Sequence, residues 1–202
     1  MFSLDFLGAA FAIAATVAFA FASVVAWPLS LIAISLDLIL YFKLQIYGDA
    51  LLQMGYFVMS IYGWWVWLRP SVGVNSLQIR WLTMKERSIL LGLLIFLIPM
   101  VAYFLARTLH STAPILDAAT TVLSVVAQGL VCRKKLDNWP LWCINDVLYL
   151  MLYYVKGIPF HMLMLPIYLC IAVIGFYRWQ QLSRVESKLT AKIQPILNAQ
   201  TI

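Results

Sequence analysis

Apolar residues run along this chain in long blocks, with no alternation of polar and apolar positions. Stretches able to cross a bilayer fall at roughly 6–25, 28–46, 48–68, 88–107, 115–133, 139–156 and 158–179. A crossing helix needs about 20 such residues, and a membrane barrel would alternate instead. The pattern therefore predicts an all-α membrane protein with seven transmembrane helices. Very short turns join the first two spans and the middle pairs. The one long loop runs from Arg69 to Arg87 and carries Pro70, Gly73 and Asn75. The mixed, polar tail from Leu182 onward reads as a frayed helix.

Composition leaves no room for a soluble domain: 64% of the 202 residues are hydrophobic and 11% charged. Soluble domains are nearer half and a quarter. Lys and Arg sort sharply by side. With the N-terminus outside, Arg69, Arg80, Lys85, Arg87, Arg133, Lys134, Lys135, Arg178, Arg184, Lys188 and Lys192 lie inside, against Lys43, Arg107 and Lys156 outside. That asymmetry predicts an external N-terminus, a cytoplasmic C-terminus and an odd number of spans. The net charge of +6 thus reports orientation, and no nucleic-acid partner is expected. No basic residue precedes Lys43, so the first apolar run is read as a retained span, not a signal peptide.

The chain also resembles itself. Shifted by 112 residues, Trp27-Pro28-Leu29 falls on Trp139-Pro140-Leu141, Tyr41 on Tyr153, Tyr56 on Tyr168, Gly63 on Gly175 and Trp67 on Trp179. Self-similarity of this kind signals a duplicated unit. Residues 4–67 and 116–179 are expected to be two three-helix repeats. A loop and linker helix occupy 68–115, and a cytoplasmic tail 180–202. Three spans reverse the chain, so the linker helix restores the orientation of the second copy. The result is a 3+1+3 parallel repeat, a transporter plan in which substrate lies between the halves near the midplane. A duplicated bundle without a pathway is the structural alternative.

A charged group inside a span costs roughly 2.5–3.5 kcal/mol on insertion scales, so each is a candidate for function. Trp139, Trp142 and Asp146, three and four apart, share one helix face, and Asn145 borders it. Such a face can stack a flat ring and hold a positive charge. The alternative is an interfacial tryptophan belt, which Trp139 at the span's mouth fits best. Gln53, Tyr56, Ser60 and Trp64 run at helical spacing along the third span as the candidate facing wall, with core packing as the alternative. Asp37 and Gln128 are candidate pore-lining positions. The histidines and cysteines show no metal-ligand spacing, and no P-loop, dinucleotide fingerprint or nucleophile elbow occurs. No metal, cofactor or enzymatic activity is expected.

The segments LDNWPLWCINDVLYLMLYYVKGI, IAVIGFYRW and YGDALLQMGYFVMSIYGWWVW resemble the PnuC family of vitamin transporters. The resemblance reaches from the first span to Trp179. It implies a SWEET-like fold of seven helices in the bacterial inner membrane. It implies uptake of nicotinamide riboside, an NAD precursor, by facilitated diffusion, with trapping by a cytosolic kinase. The family's tryptophan pair maps on Trp139 and Trp142, and its third-span glutamine on Gln53. Where the family usually carries asparagine, this chain has Asp146, Ser60 and Ile174. A carboxylate suits cationic thiamine as well as cationic nicotinamide riboside, so a thiamine carrier of the same family is the alternative. A sugar carrier of SWEET type, which has no need of Asp146, stands behind both. The lipid bilayer is the expected surrounding, and a homo-oligomer is compatible with the sequence.

Overall fold

Among the described residues the apolar blocks form seven named helices. They are α1 (Phe2–Ala20), α2 (Ala26–Lys43), α3 (Tyr47–Trp67), α4 (Met84–Thr108), α5 (Pro114–Cys132), α6 (Asn138–Lys156) and α7 (Leu165–Ala199). The computed structural model describes residues 2–43, 45, 47–69, 77–108, 112–156, 162 and 164–199. Within them α2, α4 and α5 are clearly long and apolar enough to cross a membrane. Helices α3 and α6 are diluted by polar side chains that they bury, among them Ser60, Asn145 and Asp146.

Several boundaries differ from those expected. Helix α1 stops at Ala20, not near 25, because the chain turns back through Ala22 at φ 53°. Helix α7 begins at Leu165, not 158, while 157–161 and 163 lie outside the described residues. The tail is no frayed end: α7 continues unbroken to Ala199. Helix α4 starts four residues early, at Met84. There Thr83 and Glu86 form a capping box, with Glu86 N–H donating to Thr83 Oγ1 (3.2 Å) and Thr83 N–H to Glu86 Oε2 (2.8 Å). The Pro70, Gly73 and Asn75 of the long loop lie outside the described residues.

Neighbouring helices pack within α1–α3 and within α5–α7, and two contacts join these triplets: α1 with α7 and α3 with α5. Helix α4 touches α5 and no other helix among the described residues. It turns Ile95, Phe96 and Tyr103 outward, as a lipid-facing helix would.

Positions 112 apart make matching contacts. The α1–α2 turn has Ala22 at φ 53°, and the α5–α6 turn has Lys134 at φ 49°. Ala22 N–H donates to Phe19 O (2.9 Å) and Lys134 N–H to Val131 O (3.0 Å). Trp27 lies against Gly63, and Trp139 against Gly175. A methyl on either glycine would come within 2.1 Å or 2.5 Å of the indole. The clearest match crosses between triplets. Trp67 Nε1–H donates to Val131 O (3.0 Å), and Trp179 Nε1–H to Phe19 O (2.8 Å). These four tryptophans and Phe19 form one aromatic cluster. Trp27–Trp67 and Trp139–Trp179 meet edge to face at 5.4 and 5.5 Å.

A polar web surrounds that end. Arg133 is exposed, but Lys134 and Lys135 are buried. The Lys134 ammonium stands 5.1 Å from the Trp67 ring, and burial pushes it below the ordinary lysine pKa, with Glu186 partly offsetting the shift. Lys135 pairs with Glu86 (3.0 Å). Asp137 accepts from Leu82 N–H (2.7 Å) and pairs with Arg87 (2.9 Å). Glu186 accepts from Ile79 N–H (2.8 Å). Residues 77–83 are thereby strapped between the α5–α6 turn and the extension of α7.

Candidate functional site

Each helix around the junction of the triplets presents a seam at steps of three and four. On α6 the seam is Trp139, Trp142, Asp146, Tyr149 and Tyr153, and on α3 it is Gln53, Tyr56, Ser60, Gly63 and Trp67. Residues so spaced lie on one helical face. The α3 and α6 seams, with residues from α1, α2, α5 and α7, enclose a cavity of about 370 Å³. The aromatic cluster closes one end, because Phe19 and Trp139 belong both to it and to the lining.

Of the residues expected at a site, Gln53, Tyr56, Ser60, Trp139, Trp142 and Asp146 line this cavity, and so do Asp37 and Gln128. Two others do not. Trp64 is exposed on the outer side of α3. Its step of four from Ser60 follows the seam only if the next step is three, whereas the seam runs through Gly63 instead. Asn145 is fully buried behind the lining, where its Nδ2–H donates to Ser124 Oγ (2.8 Å). Trp139 is no belt residue: it is 2% exposed and packed on Gly175 and Trp179. The less enclosed Trp142 is the better-placed ring for a ligand to stack on.

The charges are arranged in two ways. Asp37 accepts from Gln53 Nε2–H (3.0 Å), and Gly8 leaves room for it: a methyl there would sit 2.7 Å from Asp37 Oδ1. Asp146 is 8% exposed and has no hydrogen bond or ion pair among the described residues. Among the described residues no Lys, Arg or His lines the cavity. At the end away from the tryptophans, Asp117 is bound to Lys156 (2.6 Å).

Sequence reasoning did not assign Thr16, Tyr149, Tyr153 and Tyr168, all of which line the cavity, as does the span-interior Ser124. The signal was present: Tyr153 and Tyr168 are the partners of Tyr41 and Tyr56 at the offset of 112, and Thr16 is that of Gln128. Lining positions correspond across the two triplets while their chemistry differs. At the offset of 112, Ser30 corresponds to Trp142, Ile34 to Asp146 and Asp37 to Tyr149, and all six line the cavity.

The family model described as nicotinamide mononucleotide transporter matches residues 3–181. The chain belongs to the PnuC family. A nicotinamide riboside transporter PnuC of Escherichia coli is 32% identical over 174 residues, 74% of this chain and 73% of that protein. One of Neisseria mucosa is 25% identical over 170 residues, covering 78% and 64%. A crystal structure of the vitamin B3 transporter PnuC shares the fold, with a TM-score of 0.74 at 23% identity over 91% of this chain and 83% of that one. The chain is therefore a multi-pass membrane transporter, in keeping with a bacterial inner membrane.

Proposed function

We propose that the protein carries nicotinamide riboside through the cavity between its two helix triplets. The observation that carries this reading is the lining: Asp37 and Asp146 supply negative charge, aromatic rings surround them, and no basic side chain is among the described lining residues. A flat, cationic, unphosphorylated ligand suits such a site. A mononucleotide, as in the description of the family model, would set a phosphate among carboxylates with no cation to meet it. Relatives named for the riboside support the same reading.

In this proposal Trp142 stacks the pyridinium ring and Asp146 balances its charge. Gln53, Tyr56 and Ser60 form the opposite wall, and Asp37 and Gln128 line the route. The 112-residue correspondence supports a SWEET-like 3+1+3 parallel repeat, with units at 4–67 and 116–179, a linker over 68–115 and a tail over 180–202. The basic end would face the cytoplasm. Rocking of the triplets would expose the cavity to each side in turn. In keeping with the family resemblance, passage in this proposal is by facilitated diffusion, with phosphorylation by a cytosolic kinase retaining the product.

Thiamine is the second reading, favoured by the same carboxylate, because its thiazolium is also a flat cation. Uptake of labelled nicotinamide riboside into proteoliposomes, with unlabelled thiamine and nicotinamide mononucleotide as competitors, tests all three. The proposal expects uptake that the mononucleotide leaves unaffected. Absence of saturable riboside uptake, or riboside uptake that the mononucleotide abolishes, would overturn it.

A further inference from the structure

Ser124 lines the cavity from α5 and is 2% exposed. Its hydroxyl has one proton and two lone pairs. The proton goes to Thr120 O, at 2.7 Å, since a carbonyl can only accept. Asn145 Nδ2–H donates to the same oxygen at 2.8 Å and occupies one lone pair. The reverse orientation of this amide would set its oxygen against a hydroxyl whose proton is already used, and would bury an NH₂ group without an acceptor. One lone pair of Ser124 remains. The Tyr149 hydroxyl lies 3.4 Å away, long for an O–H···O bond, and the Tyr56 hydroxyl is a second contact of Ser124. With the serine proton spent either tyrosine can only donate to it, and a ligand hydrogen reaching Ser124 takes their place.

From this geometry we infer that Ser124 is a specificity-determining residue, held by Thr120 and Asn145 as an obligate acceptor toward the cavity. The inference rests on the proposed transport of nicotinamide riboside and deepens it. Beside Ser124 on this wall, Asp146 is a further acceptor with no protein donor among the described residues. A ligand group seated there must bring hydrogens. The carboxamide NH₂ and the ribose hydroxyls of the riboside can do so. The analogue with a carboxylate in place of the carboxamide cannot, and it adds a negative charge beside Asp146. Asn145 is then a positioning residue: it does not touch the cavity, but it fixes the direction in which Ser124 bonds.

The test is the ratio of uptake of the carboxamide riboside to that of its carboxylate analogue, in proteoliposomes. Wild-type protein is expected to favour the carboxamide strongly. Ser124→Ala should lower that ratio by about tenfold or more, because the fixed acceptor is gone and Tyr149 is released to donate. Ser124→Thr, which keeps a hydroxyl able to bond Thr120 O, should restore it. Where Ser124→Ala leaves Asn145 buried without an acceptor and the protein fails to fold, Ser124→Ala with Asn145→Leu removes both partners together. That double variant should show the same fall. A ratio within about twofold of wild type in the folded Ala variants would overturn the inference. Absence of riboside uptake by the wild type would instead overturn the proposed function, and this inference with it.

Discussion

Adding one methyl group at Gly63 should strain the aromatic cluster that joins the triplets. A Cβ there would stand 2.1 Å from Trp27 Cη2 and 2.5 Å from two neighbouring ring atoms. Carbon atoms in good contact are about 3.5–4.0 Å apart, so the indole must retreat by roughly 1.5 Å. It has nowhere to go. Trp27 is fully buried, edge-on to Phe19 at 4.8 Å and to Trp67 at 5.4 Å, and Trp67 is tied to Val131 O. Over-packing of a rigid ring costs about 1–3 kcal/mol or more, and this contact belongs at the upper end. The assay is unfolding of the purified protein in detergent, followed by tryptophan fluorescence. Gly55→Ala and Gly92→Ala are internal controls, because nothing lies within 4 Å of a methyl at either position. These should be neutral or slightly stabilising, since alanine favours a helix by about 1 kcal/mol over glycine. Trp27→Leu in the Gly63→Ala background should recover part of the loss. A Gly63→Ala protein as stable as the two controls would refute the packing argument.

Asp146→Asn should raise the concentration of nicotinamide riboside needed for half-maximal uptake by about tenfold, equivalent to ~1.4 kcal/mol; an unchanged value would remove Asp146 from charge recognition. Trp64→Leu should leave uptake within about twofold of wild type, because the ring lies outside the cavity. A large loss in the same uptake assay would return Trp64 to the site. Asp137→Ala strips an acceptor from Leu82 N–H and a partner from Arg87. It should cost about 1–2 kcal/mol in unfolding, the lower part of the range for charged hydrogen bonds, because Arg87 is 41% exposed. Protection of the 77–83 backbone in hydrogen exchange should fall with it.

The candidate site was legible wherever helical periodicity alone decides which residues share a face. Trp139, Trp142 and Asp146 keep steps of three and four, and they meet at one cavity. Trp64 failed because two candidate seams diverge after Ser60, and choosing between them needs the neighbour. Trp27 occupies the Gly63 side, so the seam follows the glycine, and Trp64 is turned outward. Asn145 failed for a related reason. Adjacent positions on a helix differ by about 100°, and that rotation carries its amide past the cavity edge to Ser124. The basic triplet was read as a marker of side, and two of its members turned out to be buried: Lys134 over Trp67 and Lys135 against Glu86.

What the amino-acid order determined by itself was the part of the protein that local physics governs. Lipid offers the backbone no hydrogen bonds, so long apolar runs must be helices, and seven are named among the described residues. Self-similarity at an offset of 112 shows in pairs such as Trp27 and Trp139, which needs no structure to detect. Tertiary structure decided what those helices do to each other. It set Trp67 on Val131 O and Trp179 on Phe19 O, left Asp146 without a partner among the described residues while giving Asp37 to Gln53, and placed Ser124 between Thr120 O and Asn145 Nδ2. Each of these depends on which side chain of a distant helix arrives at a given depth. Sequence period gives a direction around a helix axis, whereas a binding site needs the distance to its neighbour.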